Sequence, residues 1–201
     1  MEGPSEPKRV RLWDHKPGVF ASSVYLPVAP CPGWLIDLQD RALTACATAW
    51  HCSVGRINST LLHVSLSRTL PLHRDARSRL AQRVGAMVAN SEVCAFNASA
   101  TRLCVLASET CETSFVVLAL EAPELDDLVK ELDKELILMH LPTFPSPPVF
   151  HVSLAWVDGD WTSEEFQKTL CEIDVGEGSL KLTECVLKIG DVMHSFSLPV
   201  V

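Results

Sequence analysis

The chain has 201 residues, 47% hydrophobic and 21% charged, enough to bury a substantial core in one domain or two joined lobes. Its net charge of −8 excludes a broad basic face for long duplex nucleic acid, but permits a local pocket that holds a few phosphates. No apolar run reaches the roughly eighteen residues of a membrane span, and the start lacks an apolar signal-peptide core, so an intracellular chain with no membrane partner is expected.

Residues 1–17 read as a polar tail, with Lys8-Arg9-Val10-Arg11 its one tight basic cluster. Val19–Pro27 alternates like a strand. Pro32-Gly33 then opens a helix over Trp34–Trp50, with Leu35, Leu38, Ala42 and Cys46 at helical spacing. Thr60–Leu66 reads as a short strand, and Leu72–Ala89 as a helix with Leu80, Val84 and Met87 on one face. Val93–Ala107 and Thr113–Glu121 form two strands around Ser108-Glu109-Thr110.

Pro123–Leu138 is the clearest helix, with acids in its first turn and Leu125, Leu128, Val129, Leu132 and Leu136 in register. A Pro-rich loop covers 141–148, and Val149–Trp156 is a strand. Thr162–Ile173 is helical, and Leu180–Ile189 and Met193–Val200 close the chain as strands. This order predicts an α+β fold of two related lobes, each an antiparallel sheet with covering helices, around a central cleft. Eight cysteines without a C-x-x-C pair or an export signal predict reduced, buried thiols and no structural zinc.

Two of the strands share one pattern: Leu62-His63-Val64-Ser65-Leu66-Ser67 and Phe150-His151-Val152-Ser153-Leu154-Ala155. Residues i and i+2 of a strand point to one face, so His63 projects with Ser65 and His151 with Ser153. Val64, Leu66, Val152 and Leu154 go to the other face. H-x-S alone is a weak signal, and His51-Cys52-Ser53 matches it without the apolar surroundings. Polar pairs on apolar strands cost free energy unless bonded or used. Neither strand carries a recurring carboxylate, so a metal or other cofactor is not expected.

Histidine titrates near neutrality, so one imidazole can accept a proton while its partner donates one. Two hydroxyls beside them can bind phosphate oxygens. A serine-nucleophile hydrolase fits less well, because no Gly-x-Ser-x-Gly elbow is present.

At these residues the chain resembles the 2H phosphoesterase superfamily and, more narrowly, the U6 small nuclear RNA phosphodiesterase family. Arg9-Val10-Arg11, Ser23-Val24-Tyr25-Leu26-Pro27, Leu141-Pro142-Thr143-Phe144, Lys188 with Gly190, and Phe196-Ser197-Leu198-Pro199 extend the resemblance along the chain. The resemblance implies one bilobal domain over residues 18–201 and a nuclear 3′-to-5′ exoribonuclease. It would trim RNA 3′ ends, uridine tails of U6-type RNA among them, without metal, leaving a 2′,3′-cyclic phosphate or a 3′ phosphate. It also implies His63 and His151 as the acid–base pair, with His151 the base for cleavage.

The implied substrate-binding set is Ser65, Ser153, Val64, Val152, Val149, Phe144, Pro145 and Glu109. Pro145 stands where the family has a stacking tyrosine, and Glu109 where it has a glutamine. Phe144 is then the aromatic at hand for a base, or else a core aromatic. A monomer is expected. Two other readings stay open: a 2H enzyme for small cyclic-phosphate or oligonucleotide substrates, and an inactive module that binds RNA ends.

Overall fold

A computed structural model describes residues 16–52 and 54–200. Residues 1–15 of the tail, with its basic cluster, and Ser53 of the third His-x-Ser match thus lie outside the described residues. The strands are β1 (Val19–Pro27), β2 (Gly55–Arg56), β3 (His63–Ser65), β4 (Leu70–His73), β5 (Phe96–Ala107), β6 (Thr113–Glu121), β7 (His151–Asp158), β8 (Ser179–Leu182), β9 (Glu184–Ile189) and β10 (Val192–Ser197). The helices are α1 (Gly33–Trp50), α2 (Arg77–Asn90), α3 (Pro123–Leu138) and α4 (Glu164–Cys171).

The strands join in the order β10-β9-β1-β3-β7-β6-β5-β8, with β4 beside β1 and β2 beside β7. Every pairing is antiparallel. Two four-strand halves therefore meet where β3 pairs β7, through the single register pair Val64–Val152. The expected pair of antiparallel lobes is present, although the halves are not consecutive in the chain. The predicted strand Leu180–Ile189 breaks at Thr183. Its first part, β8, joins β5, and its second, β9, joins β1.

Apolar spacing accounts for α1, α2 and α3. Leu35, Leu38, Ala42 and Cys46 of α1 are buried, as are Leu80, Val84 and Val88 of α2 and the five predicted core residues of α3. Helices α1 and α4 lie together over the β5–β7 half, and α2 with α3 over β9 and β10. Alternation gives the sheet one apolar face under these helices, with Val24, Leu26, Val64, Leu66, Leu103, Leu118, Val152, Leu154 and Leu187 in the core. On the opposite face side chains such as His63 and Arg102 reach solvent, while Val117 and Ala119 are buried.

Other expectations are corrected. The helix predicted over Leu72–Ala89 begins at Arg77. Leu70 and Leu72 are instead the inward residues of β4, which completes the edge of β1 beyond β3. A period of two and an available strand edge outweigh helical propensity there. Residues Ser59–Leu61 form a 3-10 turn capped by Asn58, whose Oδ1 accepts from the Thr60 N–H at 3.0 Å. All eight cysteines are free, but only Cys46, Cys104 and Cys185 are buried. Burial pushes the Cys46 and Cys185 thiols up to about 12.

The sequence reading missed β2, two residues that pair with Ala155 and Trp156. Its Gly55 is required by close approach, since a methyl group there would fall onto the Trp156 indole. Gly55→Ala should therefore cost about 1–3 kcal/mol through overpacking. Thermal unfolding should show a melting temperature lower by roughly 2–4 °C per kcal/mol. An unchanged melting temperature would mean that the indole swings aside without cost.

Candidate active site

The pairing of Val64 with Val152 fixes the site. Both valines are fully buried on the helix-covered face. Their neighbours His63, Ser65, His151 and Ser153 must therefore emerge on the open face. Continuing the antiparallel register sets His63 across from Ser153 and Ser65 across from His151, at a strand spacing of about 4.8 Å. His63 is exposed, and Ser65, His151 and Ser153 are half-buried. The fold thus brings the four predicted chemical groups together at the seam of its halves.

Each imidazole is held in the same way. His63 Nδ1 lies 2.7 Å from the Leu61 carbonyl, and His151 Nδ1 lies 2.7 Å from the Val149 carbonyl. A carbonyl only accepts, so each Nδ1 carries the proton and donates it, and each ring titrates at Nε2. Both carbonyls belong to the residue two before the histidine. Leu61 and Val149 themselves keep half-exposed apolar side chains, at 52% and 46%. The sequence reading placed Val149 in the site and overlooked Leu61, its counterpart at the same spacing.

A β-bulge follows each His-Val-Ser stretch. The N–H groups of Leu66 and Ser67 both reach the Val24 carbonyl, at 2.9 and 3.2 Å, and the Val24 N–H donates to Ser67 Oγ at 2.8 Å. In β7 the register slips between the pairs Val117–Ser153 and Val116–Ala155, which leaves Leu154 as the extra residue. The Leu154 carbonyl accepts from Gln39 Nε2 at 2.7 Å and from the Ile57 N–H at 3.0 Å. Gln39 is fully buried on α1, donates also to the Ile57 carbonyl, and accepts from Arg56, which is paired with Asp40. Nothing in the sequence pointed to Gln39 beyond its being a polar residue on an apolar helix face.

Tyr25 was also missed, although it is the chain's one tyrosine. It lies opposite Ser65, and its ring packs 4.8 Å from that of His63 at a tilt of 53°. Alternation along β1 carries the signal, since Tyr25 shares a face with Ser23 while Val24 and Leu26 are buried.

The remaining candidates separate. Val64 and Val152 have sealed side chains, so only their backbone could meet a ligand. Phe144 stacks on Phe150 at 5.9 Å and 18°, and its N–H donates to Asp133 at 3.0 Å. Phe144 is half-buried against the core, with Pro145 exposed beside it. Glu109 accepts from Arg68 Nε at 2.8 Å, so its charge is neutralised by a residue just beyond the first motif. Among the described residues no group of three or more His, Cys, Asp or Glu side chains is placed to hold a metal ion, and no helix is long and apolar enough to cross a membrane.

Burial holds His151 below the ordinary imidazole value of 6.5, and the charge of His63 pushes the same way, against the Val149 hydrogen bond. Burial thus favours the neutral form of the His151 ring.

Over residues 4–197 the chain matches the family model HVSL, described as an uncharacterised conserved protein. U6 snRNA phosphodiesterase 1 of Drosophila melanogaster is 27% identical over 197 residues, covering 94% of this chain and 74% of that protein. U6 snRNA phosphodiesterase 1 of Homo sapiens is 29% identical over 167 residues, covering 79% of this chain and 60% of its own length. Kluyveromyces marxianus Usb1 shares the fold, with a TM-score of 0.68 at 13% identity over 90% of this chain and 98% of that one. Its structure with uridine monophosphate gives 0.67 at 14% identity, over 90% and 99%.

Two titrations check these electrostatics. In NMR the His151 ring should titrate below 6.5, and His63→Ala should move its midpoint upward without restoring the ordinary value, because burial is the larger cause. The unfolded chain binds this proton more readily than the folded one. The resulting stability is therefore complete above about pH 6.5 and is lost as pH falls toward the folded value. A midpoint above 6.5 would refute the assignment of burial as the dominant cause.

Proposed function

The chain belongs to the HVSL family, and on that premise we propose that it is a 2H-type phosphodiesterase that shortens RNA from its 3′ end. One observation carries the reading: two histidines on one open face, each with Nδ1–H tied to a carbonyl and Nε2 as the titrating atom. The likeness to proteins named U6 snRNA phosphodiesterase 1 supports an RNA substrate, and U6-type 3′ ends in particular. The uridine monophosphate bound by the yeast structural relative is in keeping with a uridine at the end.

In the proposed cleavage, His151 Nε2 takes the proton from the 2′-hydroxyl of the penultimate nucleotide. That oxygen attacks the adjacent phosphorus. The bond from phosphorus to the departing 5′-oxygen breaks, and protonated His63 supplies that oxygen with a proton. The products are a free nucleoside and a chain ending in a 2′,3′-cyclic phosphate. Ser65 and Ser153 donate to the non-bridging oxygens as charge builds on them. Opening of the ring by water would reverse the two histidine roles and leave a 3′ phosphate.

The base is assigned to His151 because its lowered proton affinity favours a neutral Nε2. All of these groups lie on one chain, so a monomer suffices. The reading includes a single bilobal domain over residues 18–201 and a nuclear place of action, which fractionation of cells carrying the tagged protein would check.

The test is incubation with a short RNA bearing 3′-terminal uridines in excess chelator, followed by mass analysis of the ends. Stepwise shortening with a cyclic or 3′ phosphate is expected. His63→Ala and His151→Ala should each lower the rate by at least about 10²-fold, the usual scale of a lost general acid or base. Full turnover in either variant, or activity that returns only on adding a divalent ion, would overturn the mechanism. An RNA left intact while a small cyclic phosphate is opened would move the assignment to another 2H substrate. Binding of both without turnover would leave an inactive module.

A further inference from the structure

A row of three residues crosses the β5–β7 half on the open face. His151 pairs with Ala119 of β6, and Ala119 pairs with Arg102 of β5. Directly opposed residues in an antiparallel sheet share a face, so Arg102 projects on the side of His151, two strand spacings or about 10 Å away. A bulge puts it there. The register skips Thr101 between the pairs Ala100–Leu120 and Arg102–Ala119, and Thr101 Oγ1 donates to the Ala119 carbonyl at 3.2 Å. Without that extra residue Arg102 would face the helices. Ala119, lying between, presents only a methyl group.

Among the described residues Arg102, like Arg41, Arg74, Arg77 and Arg79, has no carboxylate partner, and of these it is the one in the row with His151. Arg56, Arg68 and Arg83 are paired with Asp40, Glu109 and Glu135. Arg102 is exposed and lies on the same strand as Cys104, two residues away, and no carboxylate pairs with it among the described residues. A guanidinium held on an open face without a counter-charge, in a chain of net charge −8, is suited to an anion from outside.

The direction of the RNA follows from the acid–base assignment. His151 serves the attacking ribose, and His63, on the other half, serves the departing 5′-oxygen. The retained nucleotide therefore lies over the β5–β7 half, and its own 5′ phosphate points away from the leaving group. We propose that Arg102 binds this phosphate, the one immediately 5′ of the attacking ribose, as a subsite that selects a polynucleotide end over an isolated linkage. The inference rests on the phosphodiesterase reading above.

The experiment compares two dinucleotides that differ only in this group: pUpU, with a 5′ phosphate, and UpU, without it. The unmodified protein should favour pUpU in kcat/KM by at least about tenfold, the scale of one charge-assisted hydrogen bond. Arg102→Gln should collapse that preference toward one, and Arg102→Lys should retain part of it. For a longer RNA, Arg102→Gln should also lower the salt slope of binding by about one. A preference that survives in Arg102→Gln, or an equal loss on both substrates, would overturn the subsite.

If the unmodified protein cleaves neither dinucleotide, the phosphodiesterase reading fails separately. Calorimetric binding of uridine 3′-phosphate against uridine 3′,5′-bisphosphate then decides Arg102 alone. A bisphosphate advantage lost in Arg102→Gln supports the subsite, and an unchanged ratio, or no advantage at all, rejects it.

Discussion

The pairing of Val64 with Val152 is the constraint on which the site depends. It is the one register pair between β3 and β7, and through it the two halves of the sheet become continuous. Both side chains lie in the core, so the pairing cannot slip by one residue without turning two valines to solvent and two histidines and two serines into apolar packing. Burying even one such polar group unpaired costs about 1–3 kcal/mol, and four together would cost an amount comparable to the whole stability of a typical domain, about 5–15 kcal/mol. The placement of the chemical groups is thus enforced by the hydrophobic residues between them.

That pairing would not suffice without the bulges that follow it. An unbroken strand would carry the alternation onward and keep both edges flat. Here the Leu66–Ser67 and Leu154 irregularities re-phase each strand just after its serine. A bulge leaves backbone groups off the ladder, and each lobe satisfies them differently. In the β3 half the Ser67 hydroxyl accepts from Val24 and donates to the Arg68 carbonyl. In the β7 half a buried glutamine arrives from α1, braced by Arg56 and Asp40. A buried amide with all its bonds made is specific to one arrangement. The structural link between α1 and the second histidine therefore runs through Gln39.

The sequence made much of this legible. Alternation located β1, β6 and β7, apolar spacing located the helices, and the repeated His-Val-Ser frame located the site, because those signals are local and periodic. What was missed depends on long-range partners. β2 is two residues long and exists because β7 has an edge to fill. β4 was absorbed into a helix because its own few residues cannot show which edge they will join. The break at Thr183 is invisible in an apolar run, yet it sends β8 and β9 to opposite halves. Gln39 and Tyr25 were overlooked for the same reason: their roles lie in contacts with residues 115 and 38 positions away.

The two histidines also illustrate how symmetry and its breaking divide the labour. Their strands, bulges and Nδ1 partners are alike, and a symmetric frame alone would give two equivalent imidazoles. The net charge of −8 cannot tell them apart, since charges beyond about 8–10 Å are largely screened at physiological salt. A surplus of acids would in any case favour protonation of both rings. The local surroundings prevail instead. His63 is exposed beside Tyr25, while His151 is half-buried and its proton affinity lowered, chiefly by that burial. An acid–base pair needs one ring ready to accept a proton and another able to give one at the same pH. The shared architecture ties each Nδ1 to a backbone carbonyl, and the unequal depth of the two rings makes their surroundings different.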